Sequence, residues 1–140
     1  MSTHWRRRYS PRRACMVERP VPEVLDQAAL NELMAMVGDD AEFMDELVDT
    51  YLNETPDLLA QIRSALGNGS ATEVVRPAHT LKGSSASIGA REVEGLSRTI
   101  EEAARADAAE VLTLADDLED AYGRLVEALA RARMRRWSGA

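Results

Sequence analysis

Ser70-Ala71-Thr72-Glu73-Val74-Val75-Arg76-Pro77-Ala78-His79-Thr80-Leu81-Lys82-Gly83-Ser84-Ser85-Ala86-Ser87-Ile88-Gly89 is the stretch on which the fold of this chain turns. Ser70 and Glu73 stand at the spacing of a capping box, in which each side chain satisfies a backbone N–H near the other. Val74, Val75, Ala78, Leu81, Ser85 and Ile88 then recur at steps of three and four. That is the repeat of a helix with one buried face; a half-buried strand would alternate in twos. Gly89 supplies the stop.

The same pattern extends in both directions. Upstream, Asp26 is placed to cap a short helix carrying Ala29, Leu30, Leu33, Met34 and Val37, which closes at Gly38. After Asp39 or Asp40, the helical step continues through Phe43, Met44, Leu47, Val48, Tyr51 and Leu52. Pro56 interrupts, and Leu58, Leu59, Ile62, Ala65 and Leu66 resume the stripe. Two readings stand there. Thr55 can cap a new helix with Pro56 at its first position, or one helix can run through with Pro56 removing a backbone donor. Gly67-Asn68-Gly69 ends the segment in either case. Downstream, a helix from about Ala90 to Arg105 buries Val93, Leu96, Ile100, Ala103 and Ala104. Asp107 with Glu110 is positioned to cap the last and longest helix, with Val111, Leu114, Ala115, Leu118, Ala121, Tyr122, Leu125, Val126 and Leu129 as its stripe. No Val/Ile/Thr-rich segment alternates, so no sheet is expected. The expected fold is all-α: an up-and-down antiparallel four-helix bundle with a short additional N-terminal helix.

Composition agrees. The 140 residues suffice for a single core, and with only six aromatic residues that core must be built from Leu, Val, Ala, Met and Ile. The lone Cys15 can form no internal disulfide, which suits a reducing compartment. No run of about 18 apolar residues is present to span a membrane, and the basic N-terminus lacks the apolar centre of a secretory signal. A cytoplasmic location is expected, without membrane insertion. The net charge of −7 is unevenly spread. Residues 1–20 carry six arginines against Glu18, and residues 131–140 carry four arginines and no acid, so the intervening residues hold −16. So acidic a body repels nucleic acid, and no nucleic-acid partner is expected. The chain therefore divides into a disordered basic arm at 1–22, a helical bundle at 23–133 and a short basic tail at 134–140. Met16 is a candidate initiator, because Val17–Pro22 leads directly into periodic sequence.

Only two histidines occur, and His79 has unusual surroundings. Ala78 and Leu81 continue the buried stripe, so His79 is rotated off it towards solvent. Its same-face neighbours are Val75, Lys82 and Gly83. A mid-helix glycine costs about 1 kcal/mol against alanine, and Pro77 and Gly83, both unfavourable to a helix, flank this histidine. Departures from local consistency of this kind concentrate at functional sites. A solvent-facing neutral imidazole is a competent nucleophile that can hold a phosphoryl group. Lys82, one turn away, would offset its charge, and Gly83 clears the surface for another protein to approach. Ser84 can donate a hydrogen bond, whereas Ser85 turns inward, where the backbone is its expected partner. One histidine without carboxylates at ligand spacing builds no metal site.

The run Ala78-His79-Thr80-Leu81-Lys82-Gly83-Ser84-Ser85-Ala86, followed by Ile88-Gly89-Ala90, resembles the signature of histidine-containing phosphotransfer (HPt) domains. The likeness extends from about Asp26 to Arg131. It implies a phosphocarrier of multistep phosphorelays, whose histidine accepts a phosphoryl group from a receiver-domain aspartate or a hybrid sensor histidine kinase and passes it to a response regulator. By that resemblance His79 is the phosphorylated residue, Lys82 the stabilising cation and Gly83 the small residue. Glu101, with Arg105 one turn further, is the match for the acid or amide that family members place beside the imidazole's other nitrogen. Pro77 departs from the helix former common at its position. No Gly-rich phosphate loop is present, so no ATP site and no cofactor of its own are expected, and Mg²⁺ is expected in the partner receiver domain. A monomer is expected. It would dock through an apolar patch near His79, with Leu33, Met34 and Val37 as candidates.

Taken singly, each residue has a plainer reading. A lone helical histidine usually has no role, a lysine is a solvated charge, a glycine permits close packing, and Glu101 is an exposed acid. Met34, Met36 and Met44 read as core, and His4 as part of the arm. Two other functions compete with the carrier: a bundle that binds receivers without being phosphorylated, and an adaptor held to nucleic acid or membrane by its arginines. The intact His79, Lys82 and Gly83 set argues against the first. Salt-sensitive binding lost on deleting residues 1–20 would support the second.

Overall fold

Asp26, Asp40 and Ser70 each begin a helix in the computed structural model, which describes residues 22–139. The arginine-rich arm and Met16 lie outside the described residues, apart from Pro22. Five helices follow one another: α1 (Gln27–Met36), α2 (Ala41–Asn68), α3 (Ala71–Ser87), α4 (Arg91–Arg105) and α5 (Val111–Met134), with no strand among the described residues. Helix α2 packs on α3, α3 on α4, α4 on α5 and α5 on α2, which closes the four long helices into a ring. This is the expected four-helix bundle, with α1 as the additional leading helix. Its core is aliphatic, with Leu30, Met44, Ile62, Leu81, Ile100, Leu118, Leu125 and Leu129 fully buried.

The caps follow the sequence in three places and depart from it in one. Asp26 accepts from the N–H groups of Ala28 and Ala29, and Asp40 from those of Glu42 and Phe43. Ser70 accepts from the Glu73 N–H, which is half of a capping box. Its own N–H is taken by the Ala65 carbonyl and leaves nothing for Glu73 to satisfy. Asp107, expected to cap α5, instead closes α4. It sits at φ 53°, its N–H bonds the Ala104 carbonyl, and the Ala108 N–H bonds Ala103. That is the 6→1, 5→2 pattern which usually recruits glycine, and aspartate is among the few other residues that tolerate it. Helix α5 then begins at Val111 without a side-chain cap.

Of the two readings at Pro56, the continuous helix is the one formed. Proline cannot bond the carbonyl four residues back, at Leu52. That carbonyl instead receives the Tyr122 hydroxyl of α5 at 3.4 Å. Thr55 does not cap; its hydroxyl turns back to the Tyr51 carbonyl at 2.7 Å.

Three other expectations change. Phe43 and Val126, assigned to buried stripes, and Met36, read as core, are exposed. The segment after Arg133, expected as a basic tail, turns back onto the bundle: Trp137 is buried and donates from Nε1 to Asp45 Oδ1 at 3.0 Å. Arg133 lies over its indole at 5.7 Å and reaches Asp49 at 2.7 Å. This turn holds α1 in place, because Gln27 Nε2 donates to the Trp137 carbonyl at 3.1 Å. At the same end of α1, the Asp26 N–H bonds the Gly89 carbonyl at 2.8 Å and its carboxylate meets Arg91 at 3.1 Å. Gly89 permits that approach. It has φ +76°, and a Cβ there would come within 2.9 Å of Ala29 Cβ.

Candidate functional site

Helices α3 and α4 pack side by side, and their facing edges bring together four side chains that lie up to 26 residues apart. His79 and Lys82 come from α3, one turn apart; Glu101 and Arg105 come from α4, also one turn apart. Pro77 and Ala78 face the core, which turns His79 outward: its side chain is 63% exposed. Glu101 is the opposite, with a side chain only 8% exposed.

A buried carboxylate is stable only with partners, and Glu101 has three. Lys82 Nζ donates to Oε1 at 2.8 Å, Arg105 Nη2 donates to Oε2 at 2.8 Å, and His79 Nδ1 lies 3.0 Å from Oε2. The hydrogen bond from Lys82, then that from Arg105, outweighs burial and holds the carboxyl well below its usual value of 4.5, at about 2. Glu101 is therefore ionised throughout the physiological range. An ionised carboxylate only accepts, so the ring nitrogen facing it must carry the hydrogen. With Nδ1–H fixed in this way, the lone pair of neutral His79 sits on Nε2, on the ring edge turned away from α4. The arrangement presents a nucleophilic nitrogen to solvent, and the buried carboxylate would meet positive charge developing on the ring.

The remaining residues are placed as follows. Gly83 is exposed, and a Cβ built on it would meet nothing within 4 Å, so the surface beside His79 is open. Ser84, expected as a supporting donor, gives its hydroxyl to the Leu81 carbonyl of its own helix at 3.2 Å and is not turned towards His79. Ser85 is buried, but its partner is the Tyr51 hydroxyl of α2 at 2.8 Å and not the backbone. Leu33, Met34 and Val37 pack partly against the core. The exposed apolar surface near the leading helix is carried instead by Met36 and Phe43. A groove of about 460 Å³ lies beside the site, lined by Val75, Arg76, Ala104 and Arg105 among others, and His79 is not part of its wall. Arg76 stands exposed one turn before the histidine, and its spacing as a cation is the one signal for it in the sequence. Among the described residues, no three His, Cys, Asp or Glu side chains converge as a metal site, and no helix is long and apolar enough to cross a membrane.

Comparison with known proteins places these features in context. A profile of the Hpt domain family matches residues 46–133. The phosphorelay intermediate protein YPD1 of Saccharomyces cerevisiae is 30% identical over 84 residues, an alignment covering 59% of this chain and 50% of that protein. The chain thus spans about half the length of this relative. The crystal structure of histidine-containing phosphotransfer protein B (HptB) from Pseudomonas aeruginosa is similar in fold, with a TM-score of 0.73 and 26% identity. That likeness covers 80% of this chain and 96% of the HptB chain.

Proposed function

The chain belongs to the Hpt domain family, and from that membership we propose that it works as a phosphocarrier in a multistep phosphorelay, with His79 as the residue phosphorylated. The observation that carries this reading is the exposed imidazole whose Nδ1 is held by buried, ionised Glu101. In the forward step the Nε2 lone pair forms an N–P bond as the O–P bond of an aspartyl phosphate breaks, and the electron pair leaves on the aspartate carboxylate. The ring gains positive charge, which Glu101 faces; the reverse step regenerates the neutral imidazole. Lys82 and Arg105 keep Glu101 ionised, and Gly83 leaves the approach clear.

The donors and acceptors on this reading are response-regulator receiver domains and a hybrid sensor histidine kinase. On this reading ATP is used by the partner kinase, and the Mg²⁺ that phosphoryl transfer from an aspartate uses belongs to the receiver. A cytoplasmic monomer meets these requirements. Met36 and Phe43, exposed at the end of α1 and the start of α2, supply apolar docking surface.

Incubation with a phosphorylated receiver domain in ATP-free buffer tests the proposal. An acid-labile, base-stable phosphoryl label should appear on this chain and vanish in His79→Gln. Equal labelling of that variant would refute it.

A further inference from the structure

We propose that Arg76 is a second phosphoryl-binding residue, gripping the oxygens of a phosphoryl group on His79 Nε2 beside Lys82, whose ammonium is shared with Glu101. This rests on the reading of His79 as the phosphorylated residue and adds a group that the reading leaves out. A phosphoryl group brings a charge of about −1.5 to −2 to the surface. Lys82, the cation the sequence offers for it, already donates to Glu101 at 2.8 Å. Between residues 22 and 130 there are seven cationic side chains. Arg63, Lys82, Arg91, Arg98, Arg105 and Arg124 each hold a carboxylate within 3.1 Å. Arg76 is the one of the seven without an ion pair, and it is exposed three residues before His79.

Helix geometry puts it on the correct side. At about 100° per residue, Lys82 falls about 60° to one side of His79, the side on which α4 and Glu101 lie. Arg76 and Gly83 fall about 60° and 40° to the other, with Arg76 at the rim of the groove that Ala104 and Arg105 line from α4. His79 turns Nδ1 towards Glu101, so Nε2, across the ring, faces away from that carboxylate. Helical side chains lean towards the N-terminus, which carries the imidazole over the turn that bears Arg76. Residues three apart have Cβ atoms about 5–6 Å apart, well within reach of a guanidinium. Gly83 contributes no side chain to that space, and a Cβ built on it would meet no other side chain within 4 Å. A planar fork of donors suits phosphoryl oxygens, and here it is not engaged by any carboxylate.

The test uses phosphoramidate, a donor with no protein surface. His79 Nε2 takes the phosphoryl group as the N–P bond of the donor breaks and ammonia leaves, so the phosphorylated fraction at fixed phosphoramidate and ammonia reports an equilibrium. Contacts with a partner protein do not enter it. Arg76→Gln should lower the ratio of phosphorylated to free chain about two- to fivefold, the worth of one exposed charge-assisted contact. Arg76→Lys should recover most of it, with circular dichroism unchanged in both. An unaltered ratio in Arg76→Gln overturns the proposal, and would mean that any role of Arg76 is confined to contact with a partner protein. If the wild type takes no more label than His79→Gln, the phosphocarrier reading itself fails and this inference with it.

Discussion

Replacing Glu101 by Gln removes one charge and keeps the shape of the side chain, so it isolates what ionisation of that carboxylate contributes. Folding carries the carboxyl from its ordinary value of 4.5 to about 2. At about 1.4 kcal/mol per pH unit, that difference sets a ceiling of about 3.5 kcal/mol on its stabilisation of the fold. Water reduces the figure, because the Lys82 and Arg105 side chains that face it are 27% and 61% exposed. A net contribution of about 1–2 kcal/mol is expected at pH 7. The sign follows from linkage. A carboxylate with a depressed folded pKa stabilises the fold above its unfolded value, and the contribution falls away as pH drops from about 4.5 through about 2. Urea unfolding of the wild type and Glu101→Gln, followed by circular dichroism at pH 7, 5, 4 and 3, reads this directly. The gap between the two proteins should be constant from pH 7 to 5 and shrink to less than half by pH 3. A gap that does not change with pH, or widens in acid, would refute the account of Glu101 as a buried anion held by Lys82, Arg105 and His79.

Gly83→Ala should stabilise the fold by up to about 1 kcal/mol, since the added methyl meets nothing and alanine is the better helix former. The same change should slow transfer from a phosphorylated receiver, so denaturation and transfer kinetics would move in opposite directions. Lys82→Ala should slow transfer about 10- to 100-fold while leaving the helical circular dichroism signal intact; unfolding would contradict its place at the surface. Trp137→Ala should cost about 3–4 kcal/mol in chemical denaturation, because the indole is buried and anchors the turn that holds Gln27 of α1. A loss below about 1 kcal/mol would show that the turn contributes little to the bundle.

Where the sequence was informative, one local pattern carried the whole signal. Asp26, Asp40 and Ser70 announce helix starts because capping is a contact within three residues. The orientation of His79 follows from Ala78 and Leu81 alone. What escaped depends on contacts made over longer distances. Pro56 leaves the two readings open until Tyr122, 66 residues further on, supplies a donor to the Leu52 carbonyl. Asp107 reads in the sequence as the start of α5, and the backbone bonds to Ala103 and Ala104 make it the end of α4. Trp137 sits among arginines that look like a solvated tail, and its burial depends on Asp45, 92 residues away. Glu101 could be proposed only from family resemblance, because nothing within α4 distinguishes it from Glu102. The two differ by about one hundred degrees of helix rotation, which leaves Glu101 buried against α3 and Glu102 exposed.

A carrier must give up what it accepts, and this limits how strongly any one group can hold the phosphoryl. Glu101 with three partners satisfies that limit better than a single tight pair would. If Lys82 is drawn towards a phosphoryl group on His79, Glu101 still has Arg105 at 2.8 Å and the Nδ1–H at 3.0 Å, so a buried charge is never left alone. Leaving it alone would cost about 3–5 kcal/mol and trap the site in one state. Sharing reduces the exchange to the difference between two partly exposed contacts, about 1 kcal/mol or less. Forward and reverse transfer then differ by a factor of only about five. On this argument Arg105, which never needs to touch the phosphoryl group, is what makes Lys82 free to move. Arg105→Gln should therefore impair transfer most where Lys82 is intact, and little in a Lys82→Ala background. Rates measured for the two single variants and the double variant decide it, and strictly additive losses would mean the two cations act independently.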